Sequence, residues 1–119
     1  MALMTPEQFE EGLKKFKPRV FMNGKRVSSV LKNKNTRTVV EANKASYAWA
    51  LDPKYKDIMT CYSPLVNDMV NRYTYVSASV EDLIKKTEAG TFTAEMLGTC
   101  IYRCVGYDAI HALDSTTWE

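Results

Sequence analysis

Residues 93–107 read TAEMLGTCIYRCVGY and begin the last and best-defined predicted helix, which runs from Ala94 to about Leu113. Cys100 and Cys104 are four residues apart, so this helix would place both thiols on one face, one turn apart. Two thiolates at that separation can share a soft metal or bind neighbouring irons of one cluster. The spacing differs from the two-residue gap of zinc ribbons and ferredoxins, and a buried cysteine can also be a small hydrophobic residue. From the residues alone, a metal site and a structural pair both stay open.

The other candidate ligands are one histidine and a third cysteine. His111 lies about 10 Å beyond Cys104 along a helix axis, which is too far for it to share a metal with both cysteines of the pair. His111 is therefore predicted to make a structural contact, and Cys61 is predicted to be a buried structural thiol. A cluster normally takes four protein ligands. Either no cluster forms, or residues outside this sequence complete the site.

Length and composition describe one globular domain. The 119 residues match one domain at the usual size of roughly 100–200 residues. A composition of 45% hydrophobic and 25% charged residues argues against disorder, collagen and coiled coil. No run of eighteen apolar residues is present, so no membrane span is expected. Three cysteines without a recognisable signal segment predict a reducing, cytoplasmic location, and a single histidine argues against a His-rich zinc enzyme.

Capping and turn signals predict a mainly α fold with one short β-hairpin. Thr5, Pro6 and Gln8 have the spacing of a capping box, and the first helix is predicted to end at Pro18. Asn23-Gly24 between two short β-prone runs predicts a hairpin with a type I′ turn. The remaining predicted elements are a helix from about Thr36 to Leu51 ended by Asp52-Pro53, a turn over residues 54–59, a helix over 63–75, a helix capped by Ser79 and closed by Gly90, and the last helix with Thr93 as its cap.

Charge is distributed unevenly along the chain. Residues 14–37 contain nine basic residues and no acid, although the net charge of the whole sequence is only +2. Such a stretch can be a solvated face, or it can meet an anionic cofactor, an acidic neighbouring subunit or nucleic acid. No recognition-helix, zinc-finger or RNP-type signature is present, so nucleic acid is not expected as a partner. The nine residues are Lys14, Lys15, Lys17, Arg19, Lys25, Arg26, Lys32, Lys34 and Arg37.

The sequence resembles one enzyme family along its whole length. The stretch GTCIYRCVGYDA (98–109), running on to Ser115-Thr116-Thr117, resembles the cluster-binding helix of the 4-hydroxybutyryl-CoA dehydratase/vinylacetyl-CoA Δ-isomerase family. Residues 3–8 (LMTPEQ), 19–25 (RVFMNGK) and 52–60 (DPKYKDIMT) resemble that family's N-terminal region in the same order. The wider family includes flavin-dependent 4-hydroxyphenylacetate hydroxylases, which lack the paired cysteines. Cys100 and Cys104 therefore favour the dehydratase branch.

The resemblance implies an acyl-CoA dehydrogenase-like fold in which residues 1–119 form the helical N-terminal domain of a longer chain. A flavin-binding β-domain and a C-terminal helical domain would be absent here. The full-length enzyme is implied to be a homotetramer with FAD and one 4Fe-4S cluster per subunit. Cys100 and Cys104 would be two cluster ligands, and a third cysteine and a histidine would come from later in the chain. The implied reactions, part of 4-aminobutyrate metabolism, are flavin-based dehydration of 4-hydroxybutyryl-CoA to crotonyl-CoA and isomerisation of vinylacetyl-CoA.

These 119 residues are expected to be inactive alone, with no catalytic residue of their own and no stably bound cofactor. The expected partners of the full-length protein are an acyl-CoA substrate and further copies of itself, with no nucleic acid and no membrane. A lone hairpin is marginal in water, so residues 14–37 are expected to contact another domain or subunit. The alternative is a free-standing helical binding or adaptor module, in which the cysteine pair is structural and residues 14–37 form a docking face.

Overall fold

The computed structural model describes residues 3–99 and 106–117, which form five α-helices, two antiparallel β-hairpins and one turn of 3-10 helix. The fold is therefore mainly α, as predicted. No helix in these two ranges is long and apolar enough to cross a membrane. In chain order the elements are α1 (Pro6–Phe16), β1 (Phe21–Met22), β2 (Lys25–Arg26), α2 (Lys34–Leu51), α3 (Lys56–Met59), β3 (Thr60–Ser63), β4 (Asp68–Asn71), the 3-10 helix (Arg72–Thr74), α4 (Val80–Leu97) and α5 (Gly106–Thr117).

The predicted first helix is confirmed at both ends. The side chain of Thr5 accepts a hydrogen bond from Gln8 N at 3.2 Å, and Thr5 N donates to Gln8 Oε1 at 2.9 Å. This reciprocal pair satisfies backbone groups that a helix start leaves open. At the other end Lys17 takes a left-handed conformation and its N–H donates to Leu13 O, so that α1 ends before Pro18.

The predicted hairpin at Asn23-Gly24 is confirmed. Asn23 and Gly24 both have positive φ, 49° and 73°, and Phe21 pairs with Arg26 in the register that a two-residue turn sets. α2 runs to Leu51 before Asp52-Pro53, as predicted, although it begins two residues earlier than expected. Its cap is Asn33, whose side chain accepts from Asn35 N and Thr36 N.

The helix predicted over residues 63–75 is wrong, and so is the number of hairpins. Strands β3 and β4 pair here, with Thr60 opposite Asn71 and Ser63 opposite Asp68. Leu65, Met69 and Tyr73 are each four residues apart, which suggested a helix. In the structure, Pro64 and Asn67 shape the turn between the strands, and Asn67 has a φ of 51°. A short apolar spacing does not distinguish helix from strand when a turn lies within it.

The boundary predicted between the last two helices is also wrong. The start at Ser79 is confirmed, since its side chain accepts from Asp82 N at 3.1 Å. α4 then continues through Gly90 to Leu97 and ends at Gly98, which has φ 66°. Thr93 is buried inside α4 and donates to Ala89 O at 2.5 Å, so it is not a cap. A glycine within a helix costs only about 1 kcal/mol, less than the burial of the turns on either side gives.

The core lies among α2, α3, the 3-10 helix and α4. Its buried members are Leu3, Ala50, Met59, Tyr73 and Ala89. An aromatic group covers one side of it: the Phe92 ring lies 5.2 Å from Trp49 and 5.0 Å from Tyr55, between ring centroids. α1 packs on α2 through Phe9 and Tyr47, whose ring centroids are 5.1 Å apart.

Candidate functional site

The predicted ligand pair, Cys100 and Cys104, lies outside the described residues. The structure describes what flanks it on each side. Gly98 ends α4 in the left-handed conformation and its N–H donates to Ala94 O at 2.8 Å, and α5 begins at Gly106. The helix predicted from Ala94 to Leu113 is therefore not one helix, because its first turn belongs to α4 and its last two turns belong to α5. Residues 98–105 are called the cysteine segment below.

His111 makes a structural contact, as predicted. Its Nε2 accepts a hydrogen bond from Ser77 N at 3.1 Å and lies 3.3 Å from Lys86 Nζ. A backbone N–H can only donate, so Nε2 is the acceptor and the ring proton is assigned to Nδ1. The ring therefore joins α5 to the extended stretch that follows the 3-10 helix, and its Nε2 is already engaged.

Lys86 is a buried charged side chain that sequence reasoning missed. It is only 2% exposed, and its Nζ donates to Tyr75 O as well as facing His111. Burial lowers the pKa of Lys86 to about 8; the Cys61 thiol and the Asp82 carboxylate oppose this shift, and the Arg72 guanidinium adds to it. Its neighbour in sequence is a second lysine, Lys85, which is only partly buried. Lys86, Ala89 and Thr93 are all buried and lie three and four residues apart on one face of α4. That spacing was the signal in the sequence that could have placed Lys86 on the buried face.

Arg72 is a second buried cation, and its hydrogen bonds give it a structural role. It is 7% exposed and donates to three backbone carbonyls where α3 meets β3: Ile58 O at 2.9 Å, Asp57 O at 2.9 Å and Thr60 O at 2.6 Å. These carbonyls lie at a helix end that has few other donors. Arg72 therefore holds the second hairpin to the helical core.

A buried hydroxyl pair joins the 3-10 helix to α4. Tyr73 Oη lies 2.9 Å from Ala89 O and within hydrogen-bond distance of Thr93 Oγ1, so the two hydroxyl protons are shared among these three oxygens. Cys61, predicted to be a buried thiol, is half-buried on β3, and burial raises its pKa. A thiol with a raised pKa is a poor nucleophile and metal ligand at neutral pH. The predicted burial of Cys61 is therefore only partial, and its structural role stays a prediction.

The described residues do not assemble a metal site by themselves. In the ranges 3–99 and 106–117, no group of three or more His, Cys, Asp and Glu side chains could hold a metal ion. What these residues do build is a partly buried, hydrogen-bonded cluster of Lys86, His111, Tyr75 and Ser77, called the polar lock below, which connects α4, α5 and the chain that precedes α4. The polar lock holds these three parts of the chain together by hydrogen bonds.

A second surface feature lies at the other end of the chain. An apolar groove of about 440 Å³ runs between α1, the first hairpin and α2. Phe16 and Phe21 nearby are 81% and 64% exposed. The groove borders the basic residues 14–37, so an apolar and a positively charged surface lie side by side. Its apolar lining includes Phe9, Leu13, Met22, Val30, Val39 and Val40.

Comparison with known proteins gives sequence matches over almost the whole chain. Residues 5–119 match the protein family described as 4-hydroxyphenylacetate 3-hydroxylase N terminal. The chain is 36% identical over 117 residues to a 4-hydroxybutyryl-CoA dehydratase/vinylacetyl-CoA-Delta-isomerase of Clostridium aminobutyricum. That alignment covers 98% of this chain and 24% of the relative. The chain thus spans about a quarter of the relative's length.

Two kinds of solved structure share the fold. The oxygen-tolerant archaeal 4-hydroxybutyryl-CoA dehydratase of N. maritimus superposes with a TM-score of 0.86 at 27% identity, over 97% of this chain and 23% of that one. The oxygenase component of 4-hydroxyphenylacetate 3-monooxygenase, solved with FAD and 4-hydroxyphenylacetate, superposes with a TM-score of 0.67 at 22% identity. The second match covers 78% of this chain and 19% of the oxygenase, and it shows a common fold alone.

Proposed function

The chain belongs to the 4-hydroxyphenylacetate 3-hydroxylase N-terminal family, and we propose that it is the N-terminal domain of a 4-hydroxybutyryl-CoA dehydratase/vinylacetyl-CoA Δ-isomerase. The observation that carries the proposal is the difference between the two structural matches. The dehydratase superposes over 97% of the chain with a TM-score of 0.86, whereas the oxygenase reaches 78% and 0.67. The 36% identity to a second dehydratase supports the same branch.

In this proposal Cys100 and Cys104 supply two ligands to a 4Fe-4S cluster, and later parts of a longer chain supply a cysteine and a histidine. Donor chemistry supports the fit, because thiolates are the usual ligands of such clusters and the two cysteines are four residues apart. His111 is a poor alternative ligand, since its Nε2 already accepts from Ser77 N and faces Lys86. When bound, the cluster and FAD would supply the electron-transfer and Lewis-acid chemistry of the dehydration.

The proposed activity belongs to the full-length homotetramer and not to these 119 residues. The longer protein would remove water from 4-hydroxybutyryl-CoA to give crotonyl-CoA and would isomerise vinylacetyl-CoA. The chain alone would be inactive, because the remaining ligands and the flavin site lie elsewhere. Formation of crotonyl-CoA by the isolated chain, followed by chromatography, would overturn this part of the proposal.

The ligand assignment is tested by cysteine variants of the full-length protein. Cys100→Ser and Cys104→Ser are each expected to lose most of the iron, the acid-labile sulfide and the dehydration rate. Cys61→Ser is the matched control and is expected to retain all three, because this thiol lies on β3 with a raised pKa. Full iron content and normal turnover in both test variants would make the pair structural.

The apolar groove and the basic residues 14–37 are proposed to contact another domain or subunit of the assembly. The support is the groove together with exposed Phe16 and Phe21, which belong to two of the elements that line it, α1 and β1. An apolar patch bordered by charge is typical of an interaction surface. Phe21→Ser in the full-length protein is expected to weaken the tetramer in sedimentation-velocity experiments if the contact is with a subunit, and to lower the midpoint of thermal unfolding if it is with another domain. An unchanged tetramer and an unchanged midpoint together would assign this face to solvent.

A further inference from the structure

We propose that Lys86 and His111 are positioning residues for the cysteine segment, because together they fasten α5, through its middle turn, to α4 and to the chain at Tyr75–Ser77. The inference deepens the proposed function, on which it rests for the assignment of Cys100 and Cys104 as ligands. Neither Lys86 nor His111 would touch the cluster. Their effect would pass through the placement of α5, which begins directly after the cysteine segment.

The geometry converges on one ring nitrogen. His111 Nε2, carried by α5, accepts from Ser77 N at 3.1 Å and lies 3.3 Å from Lys86 Nζ, carried by α4. Lys86 Nζ also donates to Tyr75 O, two residues before Ser77. Three parts of the chain are therefore joined by the polar lock, and one of them is the helix that follows the cysteine segment.

Apolar burial does little to hold α5 in place among the described residues. None of its described side chains, residues 109–117, is buried, and Leu113 is 64% exposed. A helix without a buried apolar face needs other contacts to keep its position. The hydrogen bonds of His111 are contacts of this kind.

The chemistry of Lys86 points to the same role. Burying an ammonium is costly, and a methionine would fill similar space without that cost. What only the lysine provides is a set of donors directed at Tyr75 O and His111 Nε2. The buried charge is therefore explained by the polar lock that it completes.

Fixing both ends matters because a two-thiol ligand binds well only when its sulfurs are held in place. Gly98 caps α4 at one end of the cysteine segment, with its N–H donating to Ala94 O at 2.8 Å. The polar lock holds α5 at the other end. Loss of the lock would free one end and weaken metal binding by the pair without removing a ligand.

The test uses the 119-residue chain in a Cys61→Ser background, so that Cys100 and Cys104 are its only thiols. Lys86→Met removes the donors, and Lys85→Met is the matched control, since Lys85 is a partly exposed neighbour paired with Glu88 at 3.1 Å. Hydrogen exchange of the α5 amides is expected to become about tenfold faster in Lys86→Met and to stay unchanged in Lys85→Met. The affinity for Cd²⁺, followed by thiolate charge-transfer absorption, is expected to fall about tenfold or more in Lys86→Met alone, as when an outer-shell support is removed.

Two histidine variants keep the inference testable if Lys86→Met does not fold. His111→Gln retains an acceptor near the position of Nε2 and is expected to keep the exchange protection of α5, whereas His111→Leu is expected to lose it. Equal α5 protection in Lys86→Met and Lys85→Met, or in the two histidine variants, would overturn the inference. If the parent chain binds Cd²⁺ no more tightly than its Cys104→Ser variant, the ligand assignment in the proposed function fails, while the exchange data still decide the role of Lys86 and His111.

Discussion

At the scale of single residues, Lys86 makes the stability of the protein depend on pH. Burial lowers its pKa from 10.5 to about 8, so between these pH values the unfolded chain binds a proton that the folded chain has released. The free energy of unfolding therefore rises with pH across this interval, and below pH 8 the folded protein bears the full cost of the buried charge. Relative to Lys86→Met, the free energy of unfolding is expected to increase by about 3 kcal/mol between pH 8 and pH 10.5.

Urea unfolding of both proteins at several pH values measures this difference. The Cys61→Ser background removes a thiol whose pKa is also raised by burial, so that its titration does not add to that of Lys86. A difference in stability that does not change with pH would contradict the assigned cause. Lys85→Met serves as the control and is expected to follow the parent protein, because the Lys85 side chain stays 41% exposed in the folded chain.

The second prediction at this scale concerns Arg72, whose guanidinium donates hydrogen bonds to three backbone carbonyls. Arg72→Lys keeps the charge but cannot reach Asp57 O, Ile58 O and Thr60 O together. We expect a loss of about 2–3 kcal/mol in the free energy of unfolding, since buried acceptors are left without donors. Arg37→Lys on the exposed surface of α2 is the control and should change stability by less than about 0.5 kcal/mol. Equal small effects in urea unfolding would contradict the role of Arg72.

At the scale of elements, two glycines of the α4 region should respond in opposite ways to alanine. Gly98 ends α4 with φ 66°, a conformation that costs an alanine about 1 kcal/mol or more. Gly90 lies within α4 and an added Cβ there meets nothing within 4 Å. Gly90→Ala is therefore expected to stabilise the protein by about 0.5–1 kcal/mol through helix propensity.

Thermal unfolding of the two alanine variants, followed by circular dichroism, tests the helix boundaries directly. A lower midpoint for Gly98→Ala and a higher midpoint for Gly90→Ala are expected. The reverse order would mean that α4 closes at Gly90, which is where the sequence signals alone placed its end.

At the scale of the whole molecule, the basic residues 14–37 are spread over the end of α1, the first hairpin and the start of α2. Lys14 within this stretch pairs with Glu10 at 2.9 Å, and Lys44 pairs with the same carboxylate at 2.9 Å. Part of the positive charge is thus engaged within the molecule. We expect no submicromolar binding to random duplex DNA at physiological salt, measured by fluorescence anisotropy.

The control for this measurement is a Lys25→Glu variant in the first hairpin, which should behave like the parent chain. Submicromolar affinity that falls steeply with added salt and is reduced in Lys25→Glu would instead show a phosphate-binding face. That result would replace the proposed contact with another domain or subunit.

The elements that the sequence by itself determined are those set by nearest neighbours. The capping box at Thr5 and Gln8, the type I′ turn at Asn23-Gly24 and the end of α2 at Asp52-Pro53 each depend on residues within four positions of one another. Local backbone sterics and capping hydrogen bonds are complete at that range, so they can be predicted without knowing the fold. The family resemblance was also available from the sequence, because its stretches follow one another in order along the chain.

Only the tertiary structure decided the features that depend on distant contacts. Residues 60–71 form a hairpin because Arg72 and the core hold its ends, although their apolar spacing also suits a helix. α4 continues through Gly90 because Ala89 and Thr93 are buried against Tyr73. The environment of Lys86 could not be predicted locally, because one of its partners is His111, 25 residues later in the chain. The distance between Lys86 Nζ and His111 Nε2 is 3.3 Å. The energy of each arrangement comes from partners far away in the chain, and local propensity does not contain it.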